Sequence, residues 1–167
     1  NMTNKKNILF ILGTRPEIIK LFVLYRELKN SKEFNPILFN SAQQTISEDI
    51  LSFLDLKFDM SAEEIKNRSA DLELFVAHLM QDLNRQFVKG ESGLSINDVH
   101  GVVVQGDTAS AYTGAVWSFL NQVPVFHVEA GLRTYDQLNP FPEEFFRESI
   151  GRVSALNFCP TNISYGN

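Results

Sequence analysis

From residue 8 to residue 159 the chain repeats one alternation: a short unbroken apolar run, a polar or glycine-containing break, then apolar residues at helical spacing. Ile8-Leu9-Phe10-Ile11-Leu12, ending at Gly13, reads as a strand buried on both faces of a parallel sheet. After Thr14-Arg15-Pro16 the positions Ile18, Ile19, Phe22, Val23, Tyr25 and Leu28 predict a helix. Pro16 suits its first turn, where a missing N–H costs nothing. Residues 36–39 predict a second strand, 47–56 a helix, and about 70–88 a long helix striped by Leu72, Phe75, Val76, Leu79, Leu83 and Phe87. Residues 99–104 and 123–128 predict two further strands around a helix at 109–120, and 145–153 and 156–159 a last helix and strand; 89–98 reads as a loop. Strands alternating with helices imply an α/β fold with a Rossmann-like, doubly wound parallel sheet and right-handed crossovers.

At roughly 150 residues per domain, 167 residues make one domain. The formal net charge is −5 and no basic run exceeds Lys5-Lys6, so the chain lacks the electrostatic footprint of a nucleic-acid binder. The lone Cys159 allows no internal disulfide and no cysteine-rich zinc site, and no metal site is assigned. No apolar stretch approaches the roughly 18 residues of a membrane span, and a reducing cytoplasm is the expected compartment. Asn1, preceding Met2, reads as a vector remnant, which leaves 2–167 as the expected domain.

Ligands of such sheets bind beyond the carboxyl ends of the strands, and the polar residues gather there. The first strand is followed by Gly13-Thr14-Arg15, the third by Gln105-Gly106-Asp107-Thr108 and the fourth by Glu129-Ala130-Gly131-Leu132-Arg133-Thr134. The first of these is neither a dinucleotide fingerprint nor a phosphate-binding loop of the GxxxxGK[ST] kind. It offers a glycine turn, a helix N-terminus and the planar fork of Arg15, which suits diphosphate oxygens. Arg15 could equally pair with Glu17 on the surface. Asp107 and Thr108 are both good helix caps, and a cap alone accounts for Asp107. Glu129, directly after Phe126-His127-Val128, stands where desolvation raises a carboxyl pKa and is a candidate acid or base. His127 reads as a satisfied core histidine. Glu143 and Glu144 read as acids favouring a helix start; only convergence with Asp107 and Glu129 would promote one of them.

Four ordered blocks carry a resemblance: Gly13 to Lys20 (GTRPEIIK), Gln105 to Thr108 (QGDT), His127 to Thr134 (HVEAGLRT) and Pro140 to Glu144 (PFPEE). In order and spacing they resemble the non-hydrolysing UDP-N-acetylglucosamine 2-epimerases. That resemblance implies the N-terminal half of a two-domain enzyme similar in fold to the GT-B glycosyltransferases, with the C-terminal nucleotide-binding domain absent from this chain. It implies UDP-GlcNAc and UDP-ManNAc as ligands, a homodimer, and no cofactor, because no hydride moves. Asp107, Glu129 and Glu143 match the family's carboxylates; Arg15 and Lys20 match its anion-facing basic residues, and Gln43 and Arg133 are carried over as substrate-binding positions. Hydrolysing relatives carry Gly-Asp-Arg and His-x-His-Gly-Gly-Glu blocks, where this chain has Gly106-Asp107-Thr108 and His127-Val128-Glu129-Ala130-Gly131.

Two departures stand out. Phe145-Phe146-Arg147 replaces a small residue, Asn and Arg, which exchanges a hydrogen-bonding amide beside Glu143 for an apolar ring. Gln43-Gln44-Thr45 replaces Gln-His-Arg near positions where some members contact an activating substrate molecule; Gln43 and, more loosely, Arg68 still match. Phe75 and Phe87 exceed what one sheet face requires, which favours a helix-mediated dimer.

Overall fold

The computed structural model describes residues 5–63 and 71–167. Arg68 and Ala70 lie outside the described residues. Six parallel strands form one sheet: β1 (Lys6–Leu12), β2 (Phe34–Asn40), β3 (Met60–Ser61), β4 (Val99–Gln105), β5 (Val125–Val128) and β6 (Leu156–Phe158), in the order β3-β2-β1-β4-β5-β6. The order reverses between β1 and β4, so the loops leaving those two strands diverge and open a crevice at the carboxyl edge. The helices are α1 (Arg15–Asn30), α2 (Glu48–Phe53), α3 (Leu72–Leu83), α4 (Ala109–Leu120), α5 (Glu143–Val153) and α6 (Asn162–Tyr165). No described helix is long and apolar enough to cross a membrane.

Successive side chains of a strand face opposite ways, and β1 divides its apolar run accordingly. Ile8, Phe10 and Leu12 pack with Ile18, Leu21 and Tyr25 of α1, whereas Leu9 and Ile11 join the larger core under α3 and α4. On that side Phe87 is fully buried, its ring 5.8 Å from Phe39 and 5.6 Å from Trp117.

Several expectations are corrected. Ile19 and Val23 of α1 are exposed; Ile18, Leu21 and Tyr25 form the buried stripe. The long helix passes at Asn84 into a π-helical turn that runs to Val88. Phe75 and Phe87 are both buried in this chain's own core, so neither is left over for a dimer contact. Strand β3 and helix α6 were not anticipated, and α5 begins at Glu143, two residues earlier than expected.

Candidate active site

The β1–α1 turn is built on Gly13 and Glu17. A Cβ on Gly13 would lie 1.8 Å from Ser41 Oγ, so this glycine is required by the close approach of the chain leaving β2 and not by a left-handed turn. Thr14 caps α1 in a capping box, with Glu17 reaching back. Glu17 is fully buried: Oε1 accepts from Gly13 N at 3.1 Å and Thr14 N at 2.9 Å, and Oε2 accepts from the Thr108 hydroxyl at 3.0 Å. It ties the β1–α1 turn to the start of α4 instead of pairing with Arg15 on the surface. Desolvation pushes its carboxyl above the ordinary glutamate range, although each of these hydrogen bonds works the other way.

Beyond β4 and β5 the backbone turns through left-handed residues at Gly106 (φ 70°) and Glu129 (φ 64°). Gly106 N donates to Val128 O at 2.9 Å, which couples the two bends. Only the first is a glycine. A non-glycine residue held there carries strain of about 1–2 kcal/mol, and such residues concentrate at functional sites. His127 is fully buried; its Nε2 donates to Gly106 O at 2.7 Å, and burial lowers its pKa, so the neutral ring holds this bend as a core histidine.

A cleft of about 360 Å³ opens at this edge, lined by Lys20, Gln43, Asp107, Glu129 and Glu143 among other residues. The structure therefore brings together all three carboxylates singled out by sequence and two of the four substrate-binding candidates. Glu129 is not a lone desolvated acid: its Oε2 accepts from Lys20 Nζ at 2.6 Å and from the Gln105 side-chain amide. Lys20 thus points back over the strand ends. Gln43 Oε1 accepts from Ser110 N at 3.0 Å, holding the β2 loop against the first turn of α4.

Asp107 does not cap α4; Thr108 does, its hydroxyl accepting from Ala111 N at 3.0 Å. That leaves Asp107 to face the cleft, where its Oδ2 accepts from Arg147 Nη2 at 2.6 Å. Burial pushes the Asp107 carboxyl up, Glu143 and Glu129 push the same way, and Arg147 pulls it down; the net result lies above the ordinary aspartate range. Glu143 Oε2 is buried without a hydrogen-bond partner among the described residues, and next to it Phe146 offers an apolar ring stacked on Tyr112 at 4.8 Å.

The other two candidates lie elsewhere. Arg15 is exposed, forms no ion pair with a described residue and does not line the cleft. Arg133 is turned behind it, with Nε 2.9 Å from Glu144 Oε1 and Nη2 3.3 Å from Glu148. Glu144, expected to be a helix-start acid, is fully buried and also accepts from Thr134 N and Tyr135 N, both at 3.0 Å. Desolvation works to raise its pKa, but Arg133 and the two backbone N–H groups prevail and hold it below the usual carboxylate range. Glu144, Arg147, Gln105 and Glu17 take part without having been assigned a site role from the sequence. Signals were present: the Thr14-x-x-Glu17 capping pattern, the places of Gln105 and Glu144 within the matched blocks, and Arg147 at the family's arginine position.

The family model described as UDP-N-acetylglucosamine 2-epimerase matches residues 26–167. A UDP-N-acetylglucosamine 2-epimerase of Campylobacter jejuni is 34% identical over 93% of the chain, and one of Bacillus subtilis is 32% identical over 98%. The chain spans only 39% and 41% of their lengths. The crystal structure of the UDP-GlcNAc 2-epimerase from Neisseria meningitidis bound to UDP-GlcNAc is 28% identical, with a TM-score of 0.85; the match covers 96% of this chain and 41% of that one. A parallel sheet whose switch point gathers three carboxylates, with relatives of this kind along nearly its whole length, places the chain in the UDP-N-acetylglucosamine 2-epimerase family.

Proposed function

We propose that this chain is the N-terminal domain of a two-domain, non-hydrolysing UDP-GlcNAc 2-epimerase and that the cleft is its half of the active site. The observation that carries this reading is the convergence of Asp107, Glu129 and Glu143 from three separate elements on one cleft at the switch point.

The chemistry gives these carboxylates a task. C2 of the sugar has no neighbouring carbonyl, so its proton becomes removable only as the C1–O bond breaks and UDP leaves with the electron pair. A carboxylate then takes the C2 proton, leaving 2-acetamidoglucal. Protonation of C2 on the opposite face and return of a UDP oxygen to C1 give UDP-ManNAc. Inversion requires proton-transfer groups on both faces, which one carboxylate cannot supply and a cluster can. Lys20 and Gln105 hold Glu129, Arg147 holds Asp107, and Glu143 presents an oxygen that no described residue engages. No redox cofactor is drawn on, because no hydride moves. The full-length enzyme is read as a cytoplasmic homodimer that uses contacts other than Phe75 and Phe87. A second reading, a nucleotide-sugar-binding module without turnover, is favoured by the unpartnered Glu143 oxygen beside Phe146.

In the full-length protein Asp107→Asn and Glu129→Gln keep the fold and lower kcat by about 10²–10⁴, since each keeps the shape and removes a proton acceptor. Wild-type kcat in both variants overturns the proposal. The isolated 167-residue chain neither epimerises nor binds UDP-GlcNAc tightly. Open to water on one side, each charge pair with the diphosphate contributes about 0–1 kcal/mol, against roughly 8 kcal/mol for micromolar affinity. Calorimetry showing micromolar binding by the chain alone places the nucleotide site in the wrong half.

A further inference from the structure

We propose that Arg147 is a positioning residue that holds the Asp107 carboxylate in the cleft by one oxygen, and that buried Glu144 is the anchor that aims it. The inference rests on the reading of Asp107 as a proton-transfer group.

Arg147 is the fifth residue of α5, three beyond Glu144, so both side chains leave the same helix face. Its Nη2 reaches Asp107 Oδ2 at 2.6 Å, while its Nε lies 3.5 Å from Glu144 Oε2. One end of the planar fork is thus hydrogen-bonded to Asp107, while the other faces Glu144 as an ion pair without a hydrogen bond among the described residues. Glu144 cannot follow the arginine if it moves, because its other oxygen is fixed by Arg133 at 2.9 Å and by the backbone N–H groups of Thr134 and Tyr135. The Tyr112–Phe146 stack fixes α5 against α4, which sets the reach from Arg147 to Asp107. The arginine side chain is 14% exposed, so the pair is poorly screened.

The groups that bear on Asp107 come from three other elements. Arg147 and Glu143 approach from α5, Glu129 and neutral His127 from the end of β5, and Lys20 from α1 by way of Glu129. Burial, Glu143 and Glu129 all favour the protonated acid, and Arg147 is the cation that opposes them. Without it, the proton affinity of Asp107 rises further and the carboxylate loses the contact that fixes its orientation in the cleft. A pair that merely fastened the β4–α4 loop to α5 would change stability and leave the pH response alone.

The test is the pH dependence of kcat/KM in both reaction directions for the full-length enzyme, with Arg147→Gln, Arg147→Lys and Asp107→Asn. Arg147→Gln is expected to move one limb upward by about one pH unit, the size expected for loss of a close opposite charge. KM should change less than kcat. Arg147→Lys keeps the charge and the limb, but a single ammonium lacks the spaced, planar N–H groups that face the two acids from fixed positions, so kcat falls severalfold. An unmoved limb in Arg147→Gln, a loss uniform across pH, or a lysine variant with wild-type kcat overturns the inference. If the glutamine variant does not fold, the lysine variant decides: a displaced limb or an unchanged kcat contradicts the positioning role. Wild-type kcat in Asp107→Asn instead overturns the underlying reading of Asp107.

Discussion

Glu17 and Glu144 are both fully buried at the carboxyl edge of the sheet, and both accept from two backbone N–H groups, yet their proton affinities move in opposite directions. Glu17 stands at the base of α1 among neutral donors, and desolvation prevails. Glu144, in the first turn of α5, is also penalised by burial but has Arg133 at 2.9 Å and Arg147 close by. Neutral hydrogen bonds alone leave the burial penalty of Glu17 in place, whereas at Glu144 the Arg133 guanidinium and two backbone N–H groups together overcome it; at Asp107 the single contact with Arg147 does not. The cleft acids differ in their partners: Asp107 and Glu129 each pair with a cation, whereas Glu143 pairs with none among the described residues.

Glu144→Gln breaks the comparison most sharply. It removes the buried anion that both guanidinium groups share, leaving Arg147 with Asp107 and Arg133 with Glu148, and is expected to lower unfolding stability by about 3 kcal/mol, measured by urea denaturation at pH 7. A loss under about 1 kcal/mol would mean that Arg133 and Arg147 find water readily, and that Glu144 is no anchor.

The pH response of that cost sharpens it. Glu144 has a folded pKa below the unfolded value of about 4.3, so its stabilisation is present above that pH and is lost as pH falls through the folded pKa. Glu17 has a folded pKa above that value, so its contribution is full below the unfolded pKa and lost as pH rises through the folded one. Glu144→Gln should therefore cost less at acid pH than at neutral pH, and Glu17→Gln more. Parallel pH trends in the two variants would contradict the roles assigned to the arginines.

The smallest effect belongs to Glu17→Gln at pH 7, about 0–1 kcal/mol. The amide oxygen still accepts from Gly13 and Thr14, and the Thr108 hydroxyl can turn to accept from the new NH₂. A cost near that of Glu144→Gln would show that Glu17 is held as an anion after all.

Much of the fold was legible because burial on both faces leaves an unmistakable run, as in Ile8 to Leu12 and in β4. Strand β3 has only two residues at the sheet edge, too few for any periodicity. Within the site, the convergence of Asp107, Glu129 and Glu143 followed from their places after strand ends or at a helix start. Which of two adjacent acids turns inward did not: Glu143 and Glu144 differ by about 100° around the helix, and only the packing of α5 decides that Glu143 faces the cleft and Glu144 the interior. Arg133 was misplaced for the same reason, since nothing in its own segment reveals Glu144 waiting behind it. Gly13 was assigned the right residue type for the wrong cause, because Ser41, the neighbour that forbids a Cβ, is distant in sequence.

The central claim is that carboxylates on this cleft move the proton at C2. The most direct measurement is incubation of the full-length protein with UDP-GlcNAc in D₂O, reading the C2 position by NMR and mass spectrometry. The account predicts that UDP-ManNAc forms with deuterium at C2 and that the recovered UDP-GlcNAc exchanges as well, with both processes lost in Asp107→Asn and Glu129→Gln. UDP-ManNAc that retains the original C2 hydrogen, or a protein that binds the nucleotide sugar and never exchanges it, would contradict the account.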